Sequence, residues 1–278
     1  MKKHRPKNKP SRPRIPKKEN ITAIIVDKQS KKVMFVTKDM LTNQLYRDGP
    51  RIAASFDELA RGVVRECSEV MSKAQAMLIR HLPKIEDKGS EATCARLLYS
   101  AAHSYVAAIE VARKGYPREL GALMRLIVET IATVLAIAID GGPTLEKFHK
   151  GKLETTKCIG IAKKALPFIG QLNGELSNNF VHIGALQDSV DGATPYTKGD
   201  QRLDFVITTM KLMAMLLDIV TEVIFATDIE NHRYWKREGE GWTFDPNEET
   251  RGWIEKFAPQ ADASPSDDGA AVPDAPAT

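Results

Sequence analysis

Two stretches of this sequence hold residues whose types and spacing could do chemistry. Arg125 and Glu129 stand at i and i+4, which puts both side chains on one side of a helix. Further on, within Glu175-Leu176-Ser177-Asn178-Asn179-Phe180-Val181-His182, the residues Glu175, Asn179 and His182 fall at i, i+4 and i+7. That spacing defines one helical face, with Leu176 and Phe180 on the other. A guanidinium can stabilise a developing phosphate charge, and an imidazole can move a proton near neutral pH. The expectation is that the two segments face each other. Arg125, Glu129 and His182 would then be the reacting groups, with Glu175, Asn178 and Asn179 as binding groups. The plainer alternative is a structural ion pair, worth only a few tenths of a kcal/mol when exposed, beside a histidine that serves packing.

A second stripe, Arg96, His103 and Glu110, recurs at heptad spacing along another helix. The run Arg96-Leu97-Leu98-Tyr99-Ser100-Ala101-Ala102-His103 resembles the loose Arg-x(4–6)-His pattern of HEPN-type ribonucleases, with Leu97 where that family typically has a polar residue. Arg96 and His103 are therefore alternative catalytic candidates. The chain has no His-Glu-x-x-His, Gly-rich phosphate loop, Gly-x-Ser-x-Gly or paired-Cys zinc signature. It offers no motif for a metal or a cofactor.

Positioning these residues requires helices. Gly115 to Asp140 is apolar around nearly its whole circumference, the mark of a helix in the middle of a fold. Gly115 and Pro117 close one helix and open the next, so the helix from about Ser90 and the central one make an antiparallel hairpin. Ahead of them, Ser55-Phe56-Asp57-Glu58 has capping-box spacing and predicts a long helix that ends before Pro83. After the central helix come shorter ones near Thr144 to Lys150, Leu153 to Leu166 and Phe168 to Gly184, then a loop from Gln187 to Lys198. Leu203 to Ala226 forms the last long helix, interrupted by Lys211, Asp218 and Glu222. Two β-branched runs, Ile21 to Val26 and Val33 to Thr37, predict a hairpin. The fold class is all-α: a multi-helix bundle with an antiparallel helix hairpin at its centre, a small N-terminal β-hairpin and disordered tails.

The formal charge of +4 averages unlike regions. Residues 1 to 18 carry nine cations, Lys2, Lys3, Arg5, Lys7, Lys9, Arg12, Arg14, Lys17 and Lys18, and no acid. Residues 258 to 278 carry four Asp and no base, and the part between is nearly neutral. Affinity for RNA, DNA or an acidic partner is thus expected of the arm. The organisation expected is a disordered basic arm (1–18), a hairpin and connector (19–54), a helical bundle (55–226), a Trp-containing extension (227–257) and a disordered acidic tail (258–278). Cys67, Cys94 and Cys158 are isolated, which fits a reduced cytoplasmic protein. The longest uncharged apolar run near the centre, Thr130 to Ile139, has ten residues, so no membrane span is expected.

Gly115, Arg125-Leu126-Ile127-Val128-Glu129 and Asn179-Phe180-Val181-His182 resemble a group of bacterial all-helical domains of unknown function, themselves distantly similar to HEPN bundles. The resemblance spans about residues 55 to 226 and implies a defence or nuclease role; if the chain is a nuclease, its site is expected to face a cleft across a homodimer interface. Two functions follow as expectations. One is a helical binding protein whose arm contacts nucleic acid or an acidic partner. The other is a metal-independent ribonuclease that uses one of the histidines and one of the arginines.

Overall fold

The computed structural model describes residues 17–28, 31–81, 89–182, 192–239, 241–255 and 272–273. The expectations for Lys2 to Arg14, and for most of the acidic tail, lie outside these residues. The chain divides into two compact units, Met1–Arg51 and Ile52–Thr278.

In the first unit, strands β1 (Ile21–Asp27) and β2 (Lys32–Thr37) pair antiparallel, as the β-branched runs predict. The pairing sets Ile24 opposite Phe35, Ile25 opposite Met34 and Val26 opposite Val33. The base of the hairpin is clamped by the Lys38 N–H on Asn20 O at 3.0 Å and by Asn20 Nδ2 on Asp39 Oδ2 at 3.2 Å. Helix α1 (Met40–Asn43) follows, then a π turn at Gln44–Asp48. Met40, Leu41, Leu45 and Tyr46 on this segment are exposed.

Helix α2 (Gly49–His81) begins six residues ahead of the capping box, and Gly49-Pro50 opens it instead of connecting to it. Proline is tolerated there because the first turn of a helix has no intrahelical use for its N–H. Ser55 therefore sits inside the helix. Its hydroxyl donates to Ile52 O at 2.6 Å and accepts the Tyr196 N–H at 2.9 Å, so it fastens a distant loop instead of capping.

In the second unit, α3 (Ser90–Arg113) and α4 (Pro117–Asp140) form the expected antiparallel pair. Gly115 turns between them with φ of +88°, a conformation in which a side chain is strained. A Cβ there would also press on Ile52 and Ala193, at 3.0 and 3.1 Å. The loop that carries Ala193 is pinned over this turn by Tyr196, whose hydroxyl donates to Ala112 O at 2.6 Å and whose ring meets Phe56 edge-on.

Helix α4 is the hub of the bundle. It packs against α3, α5 (Gly142–His149), α6 (Thr155–Ala162), α7 (Ile169–Leu176), the π turn Ser177–Val181 and α8 (Gln201–Ile224). Leu120, Met124, Ile127, Ile131, Leu135 and Ile137 are fully buried along it. By length and composition alone it is also apolar enough to cross a bilayer, with a mean hydropathy of 2.1 over its most apolar window.

The Trp-containing extension folds back as a second small sheet. Strands β3 (Trp235–Glu238) and β4 (Gly241–Phe244) pair antiparallel, helix α9 (Glu248–Glu255) follows, and β5 (Val272–Pro273) adds to the β4 edge. Trp235 and Trp242 are buried and cover the bundle, as the composition of the extension suggests. The tail expected to be disordered from residue 258 thus includes one short strand that also lies against α4.

Candidate functional site

Arg125 and Glu129 lie one turn apart on α4 and form an ion pair of 2.7 Å between Nη2 and Oε1. Their side chains retain 29% and 22% of their exposure, so the pair is half-sunk at the edge of the core. The pair does not satisfy Arg125 in full. The Arg125 Nε is shielded from solvent and has no acceptor among the described residues. Asn173 on α7, a helix packed against α4, likewise holds a shielded Oδ1 with no donor. A buried donor left without a partner destabilises by about 1–3 kcal/mol, so each such atom asks for a reason.

The wall beside the pair is set by one glycine. Gly121, one turn before Arg125, lies under the ring of Phe180, where an added Cβ would come within 2.2 Å of Phe180 Cγ. The same ring stacks on Phe205 of α8, with centroids 5.2 Å apart and planes at 22°. Gly121 therefore lets the π turn seat an aromatic ring between α4 and α8, and that contact fixes how the Ser177–Val181 segment meets α4.

With Phe180 turned inward, the polar stripe read from the sequence faces the other way. Glu175, Asn178, Asn179 and His182 are all exposed. Glu175 accepts a hydrogen bond from Gln171 Nε2 at 3.0 Å, and His182 ends the π turn with its backbone N–H on Ser177 O at 2.9 Å. Neither is joined to Arg125 or Glu129 by a hydrogen bond or ion pair. The two-face split read from the sequence holds: Leu176 and Phe180 turn toward the core, so Glu175, Asn178, Asn179 and His182 turn to solvent.

On α3, Arg96 donates from Nη2 to Thr93 Oγ1 at 3.1 Å, and the exposed His103 ring rests on Tyr99 with centroids 4.5 Å apart. Glu110, the third member of that stripe, pairs instead with Arg113 at 3.0 Å. Arg113 also grips Asp57 of α2 through two hydrogen bonds, of 2.7 and 2.5 Å, and this grip holds the Asp57 carboxyl below its usual range.

The most buried ionic cluster was not singled out by sequence reasoning. Asp218 and Glu222 lie one turn apart on α8, and both are sealed in the core. Arg233 meets Asp218 Oδ2 at 2.8 Å and Glu222 Oε2 at 3.5 Å. Glu222 Oε1 accepts the backbone N–H groups of both Arg233 and Tyr234 at 2.8 Å, and the Tyr234 hydroxyl donates to Asp218 at 2.9 Å. Burial and the neighbouring Asp218 carboxylate push the Tyr234 hydroxyl pKa up, so it stays protonated as a donor. The Trp235 indole N–H then donates to Ile219 O at 2.8 Å. The available signal was an i,i+4 acidic pair inside an apolar helix, which demands cations or N–H groups from elsewhere.

Among the described residues no cluster of His, Cys, Asp or Glu is arranged to hold a metal ion. Searches against protein-family models, curated proteins and solved structures each find no match to this chain.

Proposed function

We propose that this protein is a helical binding protein that engages RNA or DNA through its N-terminal basic segment, with the bundle as a scaffold. The observation that carries this reading is charge segregation: nine cations and no acid within residues 1 to 18, ahead of a nearly neutral body. Cations spaced by Pro6, Pro10, Pro13 and Pro16 resist helix formation and suit a polyanion tracked along its backbone.

The test is binding of labelled RNA and duplex DNA as a function of salt. Each phosphate contact contributes about −0.9 to the slope of log affinity against log salt on B-DNA, so full engagement of the arm gives a slope of about −8. Deletion of residues 1 to 18 should flatten it. A slope near zero for the full chain, or one unchanged by the deletion, would remove the reading.

One observation favours a second reading, a metal-independent ribonuclease: the Arg125 guanidinium is partly open to solvent and its Nε lacks an acceptor. In that reading Arg125 or Arg96 would steady the charge of the pentavalent phosphorus, and His182 or His103 would exchange the ribose 2′-hydroxyl proton. Incubation with total RNA in a chelator decides it. Intact RNA, or cleavage that persists in both His182→Ala and His103→Ala, excludes the reading.

A further inference from the structure

The apolar surface of this chain is not spread evenly. Of fifteen large hydrophobic side chains exposed among the described residues, ten lie between positions 24 and 46. Cross-strand pairing puts Ile24, Val26, Val33 and Phe35 on one face of the hairpin and Ile25 and Met34 on the other. These six retain 40–60% of their exposure, so among the described residues of its own unit nothing covers either face of the ribbon. A ribbon that faced water on one side would alternate apolar with polar residues. This one reads as the interior of a larger sheet.

The backbone agrees. Among the described residues the β1–β2 sheet has two strands, so each strand has one paired edge and one outer edge without a ladder partner. An isolated two-stranded hairpin is marginal in water, and a flat apolar edge is a template for another strand.

We propose that the segment from Ile21 to Tyr46 is a homodimer interface, in which the hairpin of one copy meets the same hairpin of a second copy. A second copy packed face to face supplies apolar side chains for the face that carries Ile24, Val26, Val33 and Phe35. A two-fold axis makes the patch self-complementary, as an isologous interface requires. The area suffices as well. The four side chains of that face, with the exposed Met40, Leu41, Leu45 and Tyr46, present on the order of 900 Å² per copy, against roughly 800 Å² per partner in a standard stable interface. This inference stands apart from nucleic-acid binding and needs no polyanion.

The experiment is mass measurement of the full chain by light scattering and sedimentation, in high salt without nucleic acid. At concentrations on the order of 10 μM, the wild-type chain is expected at twice its 30.8 kDa mass. Replacing the cross-strand pair with charges, Ile24→Lys with Phe35→Lys, should give the single-chain mass with unchanged helical circular dichroism, because the core of the Ile52–Thr278 unit lies outside the change. The apolar control, Ile24→Val with Phe35→Leu, should remain dimeric. A monomeric wild type overturns the proposal, whether or not it sediments with anionic vesicles. So does a dimer that survives the double lysine change, which would place the interface elsewhere.

Discussion

Two acid–arginine clusters sit on long helices of the same bundle and differ in how far they are completed. On α8, Asp218 and Glu222 retain only 4% and 2% of side-chain exposure. Their partners come from a separate stretch of chain: the Arg233 guanidinium, two backbone N–H groups and the Tyr234 hydroxyl. On α4, Arg125 and Glu129 satisfy one contact between themselves, stay half-exposed and leave a shielded Nε with no acceptor. The first arrangement is a rivet. It ties the C-terminal extension to the core and has little left with which to bind anything. In the second, both the carboxylate and the guanidinium keep some exposure, so of these two clusters it is the better candidate for contact with something outside the chain.

The largest expected effect tests the rivet. Arg233→Ala would leave two carboxylates sealed in the core with one cation fewer; removing one partner of a buried pair destabilises by about 3–5 kcal/mol, and because Arg233 keeps 42% of its own exposure the lower end, about 3 kcal/mol, is expected. Urea unfolding should show that loss, accompanied by exposure of Trp235 and Trp242 fluorescence as the extension detaches. A loss below about 1 kcal/mol, the size expected of a surface pair, would mean the cluster is not the anchor that its geometry describes.

The same contrast explains what the sequence disclosed. The apolar circumference of Leu120 to Ile137, the Gly115–Pro117 turn and the β-branched hairpin runs are local signals, and each element forms where its signal lies. Arg125 and Glu129 announced their pairing because i and i+4 on one helix is local too. The α8 cluster did not, since Asp218 and Glu222 read as interruptions of an apolar stripe and their partner lies beyond the helix end. Ser55 misled for a related reason: its capping-box spacing is real, but its hydroxyl is used by the N–H of Tyr196, 141 positions away. The stripe ending at His182 was legible as two faces, but not which face meets α4: the apolar side does, because Gly121 leaves room for the Phe180 ring.

An intermediate effect concerns the wall beside the α4 pair. In Gly121→Ala the new methyl group meets the body of the Phe180 ring, which Phe205 backs from the far side, so the ring cannot swing away freely. Overpacking of this kind destabilises by about 1–3 kcal/mol. Paired with Phe180→Leu, which removes the ring, the alanine should become nearly neutral in urea unfolding. Additive losses in the double variant would show that the two residues do not share the contact.

The smallest effect is the most informative for the comparison. A double-mutant cycle of Arg125→Met and Glu129→Gln should return a coupling of about 0.3–0.5 kcal/mol, the size of a helical i,i+4 pair that solvent still reaches. It should shrink as salt is raised, because a half-exposed pair is screened. Arg125→Met alone could even leave stability unchanged, since it also removes the Nε that finds no acceptor. A coupling of several kcal/mol, insensitive to salt, would make this pair a second rivet. The outside contact inferred for α4 would then be withdrawn, and with it the observation that favours a ribonuclease.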